Sequence, residues 1–195
     1  MQLTDAANYS VVVTNTVNSA TSTAAPLTVN ADPLAAALDG AGLAWTTGGT
    51  LPWVAQTAIT HDGVDAVRSG AVSHSQDSWM QTTLSGAGTL TYWWKVSSES
   101  GYDYLEFYLD GVLQSGRISG TVDWTLKTYS ITAGTHTSKW RYMKDGSVNS
   151  GSDAAWVDQV GFVLRRRKLI NFTINTCITE DIYQTHGLFT GFLSI

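Results

Sequence analysis

The sequence is short of cysteine, basic residues and glutamate, and each shortage closes off a class of function. One cysteine, Cys177, stands in 195 residues. It cannot form an internal disulfide, and a catalytic thiol would need a partner base that nothing near it supplies. Lysine and arginine total 11 against 16 aspartates and glutamates, a net charge of −5. A nucleic-acid binder needs a basic stripe to displace counterions from phosphates, and this net charge argues against one. Glutamate occurs only at Glu99, Glu106 and Glu180. No apolar run reaches the roughly 18 residues of a membrane span. The opening Met1-Gln2-Leu3-Thr4-Asp5 has neither the basic nor the apolar stretch of a secretory leader.

What the chain does have is glycine, with 18, and tryptophan, with 8, while charged residues make up only 14%. Such a composition serves pleated strands better than helices. Three segments follow along the chain. Residues 1–30 hold two β-rich runs, Tyr9–Thr14 and Ala25–Val29, joined by a long Asn/Ser/Thr-rich stretch, which predicts a hairpin. Residues 31–163 hold every tryptophan and seven strand-like runs: 63–70, 78–84, 89–96, 102–110, 124–131, 135–143 and 155–163. Turn signals separate them, the strongest being Asp110-Gly111 between Leu109 and Val112. Many short strands with no long helix predict an all-β fold, a jelly-roll-type β-sandwich; Ala35–Leu38 has room for one helical turn. Residues 164–195 open with Arg165-Arg166-Arg167-Lys168 and carry a net +2, against −7 for the first 163. This basic, Trp-free tail is left unassigned and is expected to be poorly ordered.

Alternation assigns the inward faces. Leu90, Tyr92, Trp94 and Val96 share one, and Leu105, Phe107 and Leu109 another, with Asp103 at its start. On the last run Trp156, Asp158, Val160 and Phe162 fall on one stripe. That puts the Asp158 carboxylate on an apolar face, where it needs hydrogen bonds, a cation or a raised pKa.

Two resemblances are carried by residues in order. Leu3, Asp5, Ala7, Tyr9, Val11, Asn15, Ser22, Leu27 and Val29 resemble the last two strands of an I-set immunoglobulin-like domain. Tyr9 stands at the tyrosine-corner position, and Val11 where the second cysteine would be. Two strands alone are marginal in water, so the chain is expected to begin inside a domain of a longer protein. From about residue 45 to 163, pieces such as Gly88-Thr89-Leu90-Thr91-Tyr92-Trp93-Trp94-Lys95-Val96, Asp103–Gly111, Trp140–Asp145 and Asp153–Val160 are similar to jelly-roll domains of the MAM and concanavalin-A-like type, without the cysteines of MAM domains. The resemblance implies an adhesion, carbohydrate-binding or spacer module outside the cell or at its surface, in a larger bacterial protein with flanking domains. Carbohydrate or a cell-surface protein would be its partner.

Two sets of residues carry chemistry. Asp103, Asp110, Asp145, Asp153 and Asp158 fall at strand ends or in loops, and oxygen donors of this kind suit calcium; turn-forming and core hydrogen-bonding roles stand beside that reading. Trp93, Tyr108 and Trp124 alternate with inward residues and are the candidates for stacking on sugar rings, although most tryptophans are needed between the sheets. No residue is assigned a catalytic role: the sequence has neither Gly-x-Ser-x-Gly nor His-Glu-x-x-His. The leading expectation is a non-catalytic binding module. Its rivals are a structural spacer stiffened by calcium and a glycoside-acting enzyme using Glu99 and Glu106.

Overall fold

The computed structural model describes residues 7–27, 32–40 and 42–165. The unassigned tail, apart from Leu164 and Arg165, lies outside the described residues, as do Cys177, Leu3, Asp5 and Val29.

Residues 7–27 form the expected hairpin as two short ladders. β1 (Ala7–Tyr9) pairs with β4 (Ala25–Leu27), and inside them β2 (Val12–Thr14) pairs with β3 (Ser19–Thr21). Asn15 makes the tip: its side-chain oxygen accepts from the backbone N–H groups of Val17 and Asn18, both at 2.8 Å, an Asx turn in which the side chain stands in for backbone.

A single helical turn, α1 (Pro33–Ala37), follows. Asp32 caps it by accepting from Leu34 N–H at 2.9 Å, and its other oxygen accepts from Trp45 N–H at 3.3 Å. Pro33 at the first helical position sacrifices no hydrogen bond. Because the cap also holds the start of the next strand, Asp32→Ala is expected to cost about 1–2 kcal/mol in denaturant unfolding.

Ten strands make the sandwich: β5 (Trp45–Gly49), β6 (Val54–Gln56), β7 (Ala66–Arg68), β8 (Asp77–Ser85), β9 (Gly88–Ser97), β10 (Tyr104–Leu109), β11 (Val112–Leu113), β12 (Thr121–Ile131), β13 (Thr135–Met143) and β14 (Ala154–Leu164). Sheet I runs β11-β10-β13-β8-β5, sheet II runs β12-β9-β14-β7-β6, and every neighbouring pair is antiparallel. All seven strand-like runs contain strands. β5, β6 and β11 are additional, and Asp110-Gly111 makes the tight turn between β10 and β11, with φ of 51° and 78° at its two centre residues, the conformation such a turn requires.

Alternation fills the space between the sheets. Leu90, Tyr92, Trp94 and Val96 of β9 are fully buried, opposite Leu105 and Phe107 of β10 and Trp140 and Tyr142 of β13. Tyr92 is the hub, with ring centroids 5.1 Å from Trp140, 5.2 Å from Phe107 and 5.6 Å from Trp94, within the range of favourable tilted and edge-to-face pairs.

The pattern fails at one place. On β14 Asp158 stands opposite Trp93 but Gly161 stands opposite Thr91, so β14 spends one residue more than β9. This is a β-bulge, with Gln159 at φ 50°. It reverses the parity: Val160 and Phe162 turn into the core while Trp156 and Asp158 lie on the outer side. The single apolar stripe expected of these four residues is therefore split between two faces. β12 carries a second bulge, since Val122 faces Val96 but Thr125 faces Trp94, and the extra residue falls at Asp123-Trp124.

Candidate binding face and carboxylate clusters

Both bulges flank Trp93 of β9, the second strand of sheet II, one on each neighbouring strand. Bulges re-aim side chains, and here they bring Trp124 in from β12 and Gln159 in from β14. The loop 57–65 between β6 and β7 supplies the third element. It is stiffened at its start by Gln56, whose side chain accepts from Ala58 and Ile59 N–H and donates to Ile59 C=O. At its apex His61 lies over Trp93, ring centroids 3.8 Å apart and 17° from parallel, with Trp124 edge-on at 5.8 Å. His61 Nδ1 bonds to Gln159 Oε1 at 2.7 Å; an amide oxygen only accepts, so Nδ1 carries the proton. Leu126, directly opposite Trp93 on β12 and about half exposed, extends the apolar surface. Lys95 and Asp123 form an ion pair at 2.6 Å beside it.

Beneath the same loop lies Asp158, with no exposed surface. Its Oδ2 accepts from the backbone N–H of His61 at 2.7 Å and of Asp62 at 3.4 Å. Its Oδ1 is buried and bonds to no described residue. Oxygens of Asp39, Asp62 and Asp158 lie within 4.8 Å of one another. Burial pushes the Asp158 carboxyl above its usual range, and the Asp62 charge pushes it further. The Asp39 carboxyl is raised by desolvation and by the charges of Asp62 and Asp65. Three crowded carboxylates, one of them buried with an unpartnered oxygen, are a donor set that fits a hard divalent cation.

The other acidic residues sort elsewhere. Asp103 and Asp153 converge on the ammonium of Lys144, at 2.9 and 2.6 Å, and the side chains of Lys144 and Asp103 have no exposed surface. Val148 C=O accepts from the same ammonium at 3.3 Å, and the second oxygen of Asp103 accepts from Asp145 N–H at 2.9 Å. Glu99 joins Asp103 and Asp145 within 4.8 Å. Here a lysine already supplies the positive charge. Asp110 stands apart on an exposed turn, accepting from His136 Nδ1 at 2.7 Å, while His136 Nε2 meets Thr132 Oγ1 at 3.1 Å. The order Thr–His–Asp is that of a nucleophile, base and orienting acid, but it lies on an exposed hairpin end. The hydrogen bond to Asp110 raises the pKa of His136, and that to His136 lowers the pKa of Asp110.

Of the three aromatic candidates, Trp93 and Trp124 come together, whereas Tyr108 lies on sheet I. Its hydroxyl donates to Glu106 Oε2 at 2.7 Å. Glu106 is nearly buried and also faces Arg117 at 3.2 Å and Arg141 at 3.5 Å, so its carboxylate is held between two guanidinium groups. His61, Asp39 and Asp62 are the members of the site that sequence reasoning missed. Asp62 and Asp158 are 96 residues apart, and no local pattern joins them.

No protein-family model matches the chain, and no curated protein does. Among solved structures it is similar to the secreted serine protease VesC from Vibrio cholerae, with TM-score 0.51 and 12% identity over 76% of this chain; it spans 31% of that one. It also aligns with the K1 cleaved adhesin domain of Lys-gingipain from Porphyromonas gingivalis W83, TM-score 0.44 and 16% identity, over 63% of this chain and 91% of that one. A family 35 carbohydrate binding module from Clostridium thermocellum aligns with TM-score 0.37 and 17% identity, over 60% of this chain and 90% of that one. At such identities the first likeness is one of fold, and fold does not assign a ligand.

Proposed function

We propose that this chain is a non-catalytic binding module of a longer extracellular bacterial protein, that its ligand is a carbohydrate, and that the ligand docks on the outer face of sheet II around Trp93, Trp124 and His61. The observation carrying this reading is the convergence of the two β-bulges and the loop 57–65 on Trp93. Sugar rings present C–H faces to aromatic rings and hydroxyls to polar rims, and Lys95, Asp123, Asp62 and Gln159 provide such a rim. Calcium, in this reading, binds at Asp39, Asp62 and Asp158 and fastens the loop that carries His61; its role is structural. The sequence resemblance of residues 1–30 to the last strands of an immunoglobulin-like domain is the ground for proposing flanking domains.

A glycan and polysaccharide screen of the whole chain, run with calcium and with a chelator, tests the reading. Binding is expected, weakened by the chelator and reduced roughly tenfold or more by Trp124→Ala. A well-folded protein that binds no glycan in either arm would favour a spacer role instead, for which the buried Lys144 knot and the carboxylate triad would serve as stiffeners.

A further inference from the structure

Five of the eight tryptophans are buried: Trp45, Trp53, Trp94, Trp140 and Trp156. Trp93 and Trp124 belong to sheet II. The remaining one, Trp79, is half-buried on the outer face of sheet I. In the register of that sheet, Gly48, Trp79, Arg141 and Glu106 form one row across four strands, and Thr46, Gln81, Lys139 and Tyr108 form the next. Gly48 is the reason the indole can lie against the sheet. A Cβ at that position would stand 2.5 Å from Trp79 Cζ2 and 3.0 Å from Cη2, so any larger residue would lift the ring. Lys139 rests its ammonium 4.6 Å from the ring centroid and forms no ion pair with a described residue. Such an exposed cation–π contact is worth about 0.5–1 kcal/mol, little enough for a ligand to displace.

Beside Trp79 the face opens into a cleft of about 420 Å³ lined by Thr50, Ser75, Gln76, Asp77, Arg141 and Asp145, among others. The cleft is shallow and open to solvent, a shape for a chain lying across it rather than for an enclosed small molecule. Asp77 and Arg141 are paired at 2.6 Å in its wall, and Arg141 turns on to Glu106. Acceptor and donor thus alternate along Asp77, Arg141, Glu106 and Arg117, whose four charges cancel, the arrangement that vicinal hydroxyls can satisfy by donating to a carboxylate and accepting from a guanidinium.

We propose that the outer face of sheet I is a second glycan-binding face, taking a neutral pyranoside chain that stacks one ring on Trp79 and places the hydroxyls of the next in the Asp77–Arg141 cleft. It shares with the function proposed above only the ligand class. Sheet I and sheet II would then each hold a saccharide, and one module could bridge two chains.

The test is calorimetric titration of the whole chain with cellohexaose, xylohexaose, mannohexaose and an oligogalacturonate, on wild type, Trp124→Ala, Trp79→Ala, Gly48→Ala and Trp79→Ala/Trp124→Ala, each checked for folding by circular dichroism. The expected result is that Trp124→Ala still binds a neutral hexaose, that adding Trp79→Ala weakens this residual binding roughly tenfold or more, and that Gly48→Ala weakens binding in the same direction. Loss of all binding on Trp124→Ala alone would overturn the second face and leave the first. Residual binding that is indifferent to Trp79 would also overturn it. Binding confined to the oligogalacturonate and abolished by salt would overturn the neutral ligand class, and no binding by wild type would overturn both faces.

Discussion

Lys144→Met is expected to destabilise the protein by about 3–5 kcal/mol, because it strands the fully buried Asp103 carboxylate without a counter-charge and unpairs the partly exposed Asp153 as well. The Lys144 ammonium is enclosed by Asp103 at 2.9 Å, Asp153 at 2.6 Å and Val148 C=O at 3.3 Å, and the lysine and Asp103 side chains are fully buried. Methionine fills the volume but supplies no charge. The remaining groups of the knot, Asp145 and Glu99, are acidic as well, so nothing nearby can compensate. The knot ties the start of the 144–153 loop to the entry of β10, and its loss should lower the unfolding midpoint on the order of 10 °C. Removing the stranded charge should restore stability: Lys144→Met combined with Asp103→Leu is expected to recover most of the loss, as apolar replacements of buried pairs commonly do. Urea unfolding of the two variants measures this. A Lys144→Met protein within 1 kcal/mol of wild type would show that the pair is not the anchor its burial implies.

Calcium is expected to raise the unfolding midpoint, and Asp158→Asn to erase that response. A ligand at a hundred times its Kd stabilises by about 2.7 kcal/mol, or roughly 5–10 °C for a chain of this size. The physical basis is the crowding of Asp39, Asp62 and Asp158, whose oxygens lie within 4.8 Å of one another with Asp158 Oδ1 unpartnered. Asparagine keeps an oxygen for the His61 and Asp62 N–H groups but removes the charge a cation requires. The effect should therefore appear as a lost calcium response more than as a lost fold. Asp110→Asn, on the exposed turn with His136, should leave the calcium response intact. A calcium-dependent midpoint that survives Asp158→Asn would move the ion to another cluster, with Glu99, Asp103 and Asp145 the next set of carboxylates to remove.

The sandwich was legible from residue order wherever strands obey strict alternation. The β9 stripe of Leu90, Tyr92, Trp94 and Val96 is the clearest case, and β13 matched its expected limits of Thr135 and Met143. It was not legible where one extra residue enters a strand. Nothing in Asp158-Gln159-Val160 announces that Gln159 will take a positive φ, and from there the inward set changes sides. β5 was not among the expected strands; Gly48 within it admits an indole from the neighbouring strand, a tertiary reason that local propensity does not carry. The candidate face was half visible. Trp93 and Trp124 were singled out by alternation, and the same alternation along β8, with Ser78, Met80, Thr82 and Leu84 inward, marks Trp79 as outward too. His61, Asp39 and Asp62 come from a loop and a helix end distant in sequence. Their meeting with Asp158 depends on the bulge and on the path of residues 57–65.

The eight indole N–H groups offer the most direct measurement of whether an outward aromatic face is the binding surface. In a two-dimensional 15N spectrum of tryptophan-labelled protein, a binding oligosaccharide is titrated in with calcium present. The signals of Trp93 and Trp124 are expected to shift together with a common dissociation constant, while those of Trp45, Trp53, Trp94, Trp140 and Trp156, buried between or against the sheets, stay where they are. A bound oligosaccharide that leaves Trp93 and Trp124 unmoved would contradict the assignment of the sheet II face as the ligand site.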